Sequence, residues 1–250
     1  MNLLLEAVQW LFSPQRLEGI NPIPLRLGEH LFYTFASVAI AALIAIPLGF
    51  FIGHTGKGRD FAVGISGAAR ALPSFGLILF LVLLVGVAQP QLQLAAIIAF
   101  VLLAIPSILA GAYAGIEAVD RRVIDSARAV GMTEWQILWK VEVPLGLPLL
   151  IGGLRAATLQ VVATATLAAY VGLGGLGIYI FRGLPLQRYD EMLGSALLIA
   201  ALALVLDGIF ALIQQFAVPR GVSAGRAKDV RTSSPRRRAA AAQPAQERRG

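Results

Sequence analysis

The chain has 250 residues, of which 57% are hydrophobic and 14% are charged, and it contains no cysteine. An ordinary soluble domain has about a quarter of its residues charged, so this composition excludes that class and indicates a polytopic membrane protein. The lack of cysteine excludes disulfides and thiolate metal sites. The net charge of +7 falls mainly beside apolar segments and near the C-terminus, where lipid head groups rather than nucleic acid explain it.

The N-terminal segment begins with a short apolar block from Leu3 to Phe12. A secretory signal is not expected, because the block contains Glu6, has no basic leader and precedes no small-residue cleavage site. The block is predicted to form an interfacial helix within an extracytoplasmic segment, residues 1–28.

Five transmembrane helices are predicted within residues 29–218. The uncharged stretch from Leu31 to Gly53 is long enough to cross a hydrocarbon core, which takes roughly 20 helical residues. The uncharged stretch from Ala71 to Ile116 is too long for one crossing and is interrupted at residues 89–93, so two spans are predicted there. The fourth and fifth spans are predicted at Leu145–Tyr170 and Leu193–Val218. The predicted fold class is an all-α membrane protein with its termini on opposite sides.

Residues 117–144, called the polar loop below, separate the third and fourth predicted spans. A first amphipathic helix is predicted because four apolar residues recur at helical spacing opposite charged ones: Val123, Ile124, Ala127 and Val130. Gly131 stands where a helix often ends in a left-handed residue, and Thr133 with Gln136 has capping-box spacing. A second helix is therefore predicted to follow and to end at Pro144. The loop either docks another protein or lies on lipid head groups.

The orientation in the membrane follows from Lys and Arg, because cytoplasmic loops retain positive charge. Most of the 21 such residues lie on the side of the polar loop, and the other side has four: Arg16, Arg26, Arg182 and Arg188. The polar loop and the C-terminus are thus predicted to be cytoplasmic. Residues 219–250 have no apolar period and are predicted to form a disordered basic tail that is dispensable for the fold.

Two glycine patterns bear on nucleotide binding. Residues 172–177, called the glycine loop below, have the spacing G-x-G-x-x-G but follow a membrane span rather than a strand. Gly56-Lys57-Gly58 lacks the remaining residues of a phosphate-binding loop. No nucleophile is paired with a base, and His30 and His54 are predicted to lie at opposite membrane interfaces. The sequence predicts no catalytic residue, metal site, cofactor or ATPase site in this chain.

Arg155 and Asp207 are the ionisable residues within the predicted spans. Such residues are candidates for function because burying a charge in lipid is expensive. The alternative is a position near the interface, from which the side chain reaches water.

The polar loop carries a resemblance to a known family. Asp125-Ser-Ala127, three residues, Gly131, nine residues and Val141-Glu-Val143-Pro144 resemble a loop in permease subunits of ATP-binding-cassette importers. The family pattern is Glu-Ala-Ala, three residues, Gly, nine residues, Ile-x-Leu-Pro. The spacing agrees throughout, while Asp125, Ser126, Val141 and Val143 depart from the family residues.

Over residues 27–216 the chain most resembles the osmoprotectant branch of this family, which imports glycine betaine, choline or carnitine. The resemblance rests on short segments along the chain: His30-Leu31 with Thr34, Ala45–Gly49, Leu72–Phe75, Pro106–Leu109, Tyr113 with Gly115-Ile116, Gly153–Arg155 and Thr166–Ala169.

The resemblance implies the five-helix core of a type I importer permease (MetI-like), with the polar loop acting as a coupling helix on a separate ATPase subunit. The implied ATPase-coupling residues are Asp125, Ser126, Ala127, Arg128, Gly131 and Pro144. Implied partners are an extracytoplasmic substrate-binding protein, a second permease subunit, identical or related, and the lipid of the plasma membrane. A gate or pathway is expected at Arg155, Gly172, Gly174, Gly175 and Gly177.

Two other functions are compatible with parts of this pattern. A type I permease for amino acids or another small organic solute would share every feature above. A secondary ion-coupled carrier should have acids inside the membrane and repeated halves, whereas Asp207 is the single acid in the predicted spans and no repeat is evident.

Overall fold

The computed structural model describes residues 2–217, and the predicted tail at 219–250 lies outside them. The described residues form α-helices, a π-helical turn at Leu138–Glu142 and a 3-10 helix at Thr166–Val171, without strands. The α-helices in chain order are α1 (Leu3–Leu11), α2 (Pro14–Glu18), α3 (Ile23–Thr55), α4 (Arg59–Ala71), α5 (Ser74–Val85), α6 (Gln91–Glu117), α7 (Arg121–Ala129), α8 (Glu134–Ile137), α9 (Val143–Ala165), α10 (Ile178–Gly183) and α11 (Tyr189–Ala217).

Within residues 2–217, four helical segments are long and apolar enough to cross a membrane: Ile23–Thr55, Gln91–Glu117, Glu134–Val171 and Tyr189–Ala217. At the second predicted span the structure has α5, an apolar helix of 12 residues, which is about 18 Å long at 1.5 Å per residue. Leu72 separates it from α4 because its backbone is extended (φ −68°, ψ 131°), as the residue before a proline prefers. The predicted all-α membrane fold is confirmed, with a second apolar helix shorter than expected.

Helix α6 is the centre of the bundle and packs against both α3 and α9. In its most apolar window 61% of the residues are buried within the protein, against 6% in α11. The backbones of α6 and α9 touch at glycines: a Cβ added to Gly115 would lie 2.6 Å from the carbonyl oxygen of Gly146. Small residues permit this close approach, which is common between membrane helices.

Helix α1 lies where the interfacial helix is predicted, and it packs against α11. Trp10 is its anchor, because the ring is buried and meets Tyr179 edge-to-face at 5.1 Å. Gly194 of α11 leaves room for this ring, since a Cβ there would lie 2.5 Å from it.

Candidate functional site: two loops at opposite ends of α3

The polar loop folds as a helix, a glycine turn and a second helix. Asp120 caps α7, because its side chain accepts a hydrogen bond of 2.9 Å from the backbone N–H of Arg122. At the other end Gly131 is left-handed (φ +86°). Its N–H donates to the carbonyl of Arg128, and the N–H of Met132 donates to that of Ala127. These two bonds form a Schellman motif, so the predicted turn at Gly131 is confirmed.

The second helix begins at a capping box. The backbone N–H of Gln136 donates to the Thr133 hydroxyl, and the backbone N–H of Thr133 donates to the Gln136 side chain. The capping box predicted from the spacing is confirmed. Since both helices are closed by local bonds at the Gly131 turn, the angle between them is set within a few residues.

A small apolar core holds the two helices together: Val119, Ile124, Ala127 and Ile137 are buried against one another. The prediction that Val123 and Val130 share this face is wrong, because they are 42% and 78% exposed. Helix α7 ends at Ala129, so Val130 leaves the helical face, and Val123 lies on its flank. Both apolar side chains remain open at the surface of the loop.

Arg128 ties the two helices across the turn. Its guanidinium donates two hydrogen bonds to the Glu134 carboxylate, at 2.8 and 3.0 Å, and lies 3.4 Å from Asp125. The hydrogen bonds to Glu134 raise the pKa of Arg128 above its ordinary value. Ser126 donates to the carbonyl of Arg122. Of the predicted coupling residues, Asp125 to Arg128 and Gly131 therefore lie together on this helix-turn-helix.

Pro144, the last predicted coupling residue, does not end the second helix, so that prediction is wrong. The chain passes from α8 through the π-helical turn into α9, where Pro144 lies in the first turn. Proline is accommodated there because it directly follows the π-helical turn, where the regular ladder of hydrogen bonds is already interrupted. The polar loop is consequently continuous with the membrane span that follows it.

His54, at the end of α3, connects this span to the polar loop. Its Nδ1 lies 2.5 Å from a carboxylate oxygen of Glu142, and its Nε2 lies 3.5 Å from Glu134. Glu142 is in the π-helical turn and is 3% exposed. The sequence did not indicate this contact, because His54 and Glu142 are 88 positions apart and no motif around either residue points to the other.

The glycine loop is held against the start of α3. Glu29 accepts a hydrogen bond of 2.7 Å from the backbone N–H of Gly175. His30 donates through Nε2 to the carbonyl of Val162 and accepts at Nδ1 from the N–H of Leu176, which fits the neutral tautomer with the proton on Nε2. His30 is fully buried within the protein, and its position at the outer membrane interface stays a prediction.

The four predicted glycines of this loop serve two different purposes. Gly172 and Gly175 are left-handed, at φ +87° and +83°, where other residues are strained. Gly177 leaves no room for a side chain, because a Cβ would lie 2.1 Å from the Thr166 backbone carbonyl oxygen, and at Gly174 a Cβ would displace the Glu29 carboxylate, 1.7 Å away. The loop is therefore packed and hydrogen-bonded.

Arg155 lies away from the glycine loop and pairs with Asp207. Its guanidinium donates two hydrogen bonds of 2.5 Å to the carboxylate, and each side chain is about one-third exposed. Ten residues of α9 separate Arg155 from the end of that helix, about 15 Å. The two ionisable residues of the predicted spans thus neutralise each other between α9 and α11, a pairing that sequence reasoning did not anticipate.

Known proteins support this architecture. The family model described as "Binding-protein-dependent transport system inner membrane component" matches residues 45–222. The glycine betaine/carnitine/choline transport system permease protein OpuCB of Bacillus subtilis (strain 168) is 32% identical, over 79% of this chain and 89% of that protein. The carnitine transport permease protein OpuCB of Listeria monocytogenes is 34% identical, over 84% and 94%.

A solved structure gives the same fold. A chain of the MetNI methionine ABC transporter in an inward-facing conformation matches with a TM-score of 0.71 and 22% identity, over 79% of this chain and 96% of that chain. At this identity the likeness bears on the fold, which agrees with the MetI-like architecture expected from the sequence. The match to the family model, over most of the chain, shows that this protein belongs to the inner membrane components of binding-protein-dependent transport systems.

Proposed function

We propose that this permease subunit forms the translocation pathway of an ATP-driven importer of osmoprotectants such as glycine betaine, choline or carnitine. The cargo is supported by the similarity to permeases named for those solutes. The observation that carries the coupling role is the polar loop, a helix-turn-helix with a closed apolar core and exposed Val123 and Val130. Such a loop fits a groove on a separate ATPase subunit.

In this proposal the ATPase subunits close when they bind ATP, and the polar loop passes this movement on as a rigid body. The Schellman turn at Gly131 and the Arg128–Glu134 pair hold the angle between α7 and α8. Two structural connections then transmit this movement from the polar loop to the membrane-spanning helices. One is the continuous helix from Glu134 into α9, and the other is the contact between His54 and Glu142.

The polar loop is placed in the cytoplasm on the basis of the Lys and Arg distribution, so the N-terminus lies outside. The glycine loop, near the other end of α3, then faces the extracytoplasmic binding protein and forms part of the outer gate. His30 and His54 are 24 positions apart on α3, which corresponds to about 36 Å. A second permease subunit, identical or related, completes the pathway.

Reconstituted transport tests the proposal. The permease is co-purified with the products of adjacent genes and placed in vesicles with ATP on the polar-loop side, and labelled choline and glycine betaine are added with the binding protein. We expect accumulation that requires ATP, the ATPase subunit and the binding protein together. Uptake by the permease alone without ATP would overturn the proposal and revive a secondary carrier, which the pairing of Asp207 with Arg155 disfavours.

A permease for amino acids is the second candidate, because a transporter of the same fold is named for methionine and permeases for both kinds of solute would share this architecture. Competition separates the two: unlabelled choline, glycine betaine and carnitine should each reduce uptake of a labelled osmoprotectant. Transport of an amino acid that is insensitive to all three would support the second candidate.

A further inference from the structure

A cavity of about 390 Å³ lies between the last turns of α3 and the start of the helix that leads from the polar loop into α9. A volume in this range is typical of small-molecule sites. Helix α3 lines the cavity with Ile46, Pro47, Phe50, Phe51, His54 and Thr55, and the facing side is lined by Glu134, Trp135, Leu138 and Trp139.

Four of the lining residues are aromatic, and we call them the aromatic box: Phe50, Phe51, Trp135 and Trp139. The rings of Phe50 and Trp139 are 6.1 Å apart and inclined at 89°. Those of Trp139 and Trp135 are 5.6 Å apart and inclined at 67°. Phe51, Trp135 and Trp139 are 56%, 69% and 47% exposed, so ring surface of these residues remains accessible to a group in the cavity.

Three carboxylates, Asp125, Glu134 and Glu142, lie in or beside the lining against one guanidinium, Arg128, and the imidazole of His54, so the local charge is negative. The lining contains Glu134 and His54 and has neither Lys nor Arg. Both groups are fixed: Glu134 is held by Arg128 and lies beside His54, which is itself bound to Glu142. A carboxylate at the edge of an aromatic cavity complements a positively charged group.

We propose that the aromatic box binds the quaternary ammonium group of a small solute. A trimethylammonium group is attracted to aromatic ring faces, and its methyl groups are accommodated by apolar walls. Hydrated metal cations do not fit this chemistry, because the lining offers them one carboxylate and otherwise mainly carbon atoms. The biological relevance of this ligand class rests on the proposed function, whereas the cavity and its walls are features of the structure.

The site would lie apart from the glycine loop, near the other end of α3. A solute in the box touches α3 on one side and α8 with the π-helical turn on the other. It would therefore bind the permease at the hinge between the polar loop and the membrane, and not only on a binding protein or along the pathway.

Tryptophan fluorescence tests the proposal directly, because two of the three tryptophans belong to the box. The full-length chain in lipid nanodiscs carries Trp10→Phe, which leaves only the box tryptophans as reporters. It is titrated with choline and with 3,3-dimethylbutan-1-ol, the uncharged carbon isostere of choline. We expect a saturable change with choline and binding of the isostere that is weaker by about tenfold.

Matched variants locate the site. Trp139→Leu should weaken choline binding by about fivefold or more, while Trp139→Phe should retain it because a ring face remains. Glu134→Gln should weaken choline and leave the isostere unchanged. Circular dichroism and the elution profile of each variant establish that it folds as the parent does.

Equal affinity for choline and the isostere would overturn the proposal and indicate an apolar site for lipid chains. A choline response unchanged by Trp139→Leu would overturn it as well. The measurement needs no ATPase or binding protein. If the complete transporter imports only amino acids while choline binding persists, the proposed cargo fails and the binding site stands.

Discussion

The glycine loop and the polar loop both depend on glycine, but for opposite reasons. Gly177 has an ordinary helical backbone (φ −60°, ψ −20°) and no space, since a Cβ would meet the Thr166 carbonyl oxygen at 2.1 Å. At Gly131 a side chain would have room, because nothing lies within 4 Å of an added Cβ, but the backbone is left-handed at φ +86°. The glycine loop is thus kept in shape by packing, and the polar loop by backbone conformation and surface bonds.

The two loops also differ in how they are attached to the rest of the protein. The glycine loop is attached to α3 and α11 by buried groups, because its Leu176 binds His30 through the backbone N–H and Ser195 through the carbonyl. The polar loop is stiff within itself but rests on exposed ion pairs, and its outer surface is free for a partner.

Gly177→Ala should have the largest effect on stability. The added methyl group has to displace backbone, and overpacking of this kind costs about 1–3 kcal/mol or more. We expect a lower unfolding temperature in nanodiscs and loss of uptake. Gly208→Ala is the matched control, because its Cβ would meet nothing within 4 Å. Equal stability of the two variants would contradict a packed glycine loop.

Gly131→Val should abolish uptake while the protein still inserts into the membrane. A β-branched residue in the left-handed region costs about 1–3 kcal/mol, which the few exposed bonds of the turn do not offset. Gly131→Pro should act alike, since it also removes the N–H that donates to Arg128. Gly131→Asn is the control, because Asn tolerates this backbone. Normal uptake by the Val variant would show that the turn is not needed for coupling.

Asp207→Asn and Arg155→Met should each reduce the yield of monodisperse protein, because each leaves its partner charged and unpaired within the membrane. The double variant Arg155→Met with Asp207→Leu should recover much of the yield, since no charge then remains. Size-exclusion chromatography of the three variants measures this. If the double variant is as poor as the single ones, the pair has a further role, for example in the pathway.

Arg128→Ala should have the smallest effect. Its bonds to Glu134 are exposed, and exposed ion pairs contribute little and are screened by salt. We expect moderately slower uptake at low ionic strength and a smaller difference from the parent protein at high ionic strength. Arg128→Lys, which keeps the charge but not the two-bond geometry, should lie between the two. A complete loss of uptake at all salt concentrations would assign Arg128 a direct contact with the ATPase.

The features that the sequence predicted correctly are local ones. Thr133 and Gln136 are three positions apart, and the turn at Gly131 follows from the residue itself, so neither needed knowledge of the fold. The long spans followed from composition alone. The short length of α5 was not predicted, because it depends on the extended backbone of Leu72 before Pro73, which composition does not reveal.

The features that the sequence did not reveal depend on distant partners. Arg155 and Asp207 are 52 positions apart, and His54 and Glu142 are 88 positions apart. Taken singly, such residues indicated only a position near the membrane interface or an isolated charge within a span. The burial of His30 against Val162 and Leu176 could not be predicted, because nothing adjacent to it in the sequence indicates these partners. Pro144 was expected to stop a helix, since the π-helical turn before it leaves no obvious signature in the sequence.

That π-helical turn at Leu138–Glu142 holds one more residue than an α-helical turn would. A surplus residue of this kind can migrate along a helix, and each residue of register corresponds to a rotation of about 100°. If the surplus residue left this position, everything beyond it in α9 would revolve relative to the polar loop, and Arg155 would swing away from Asp207. The connection between the polar loop and α9 therefore keeps its axial continuity while the rotation of one part relative to the other can change.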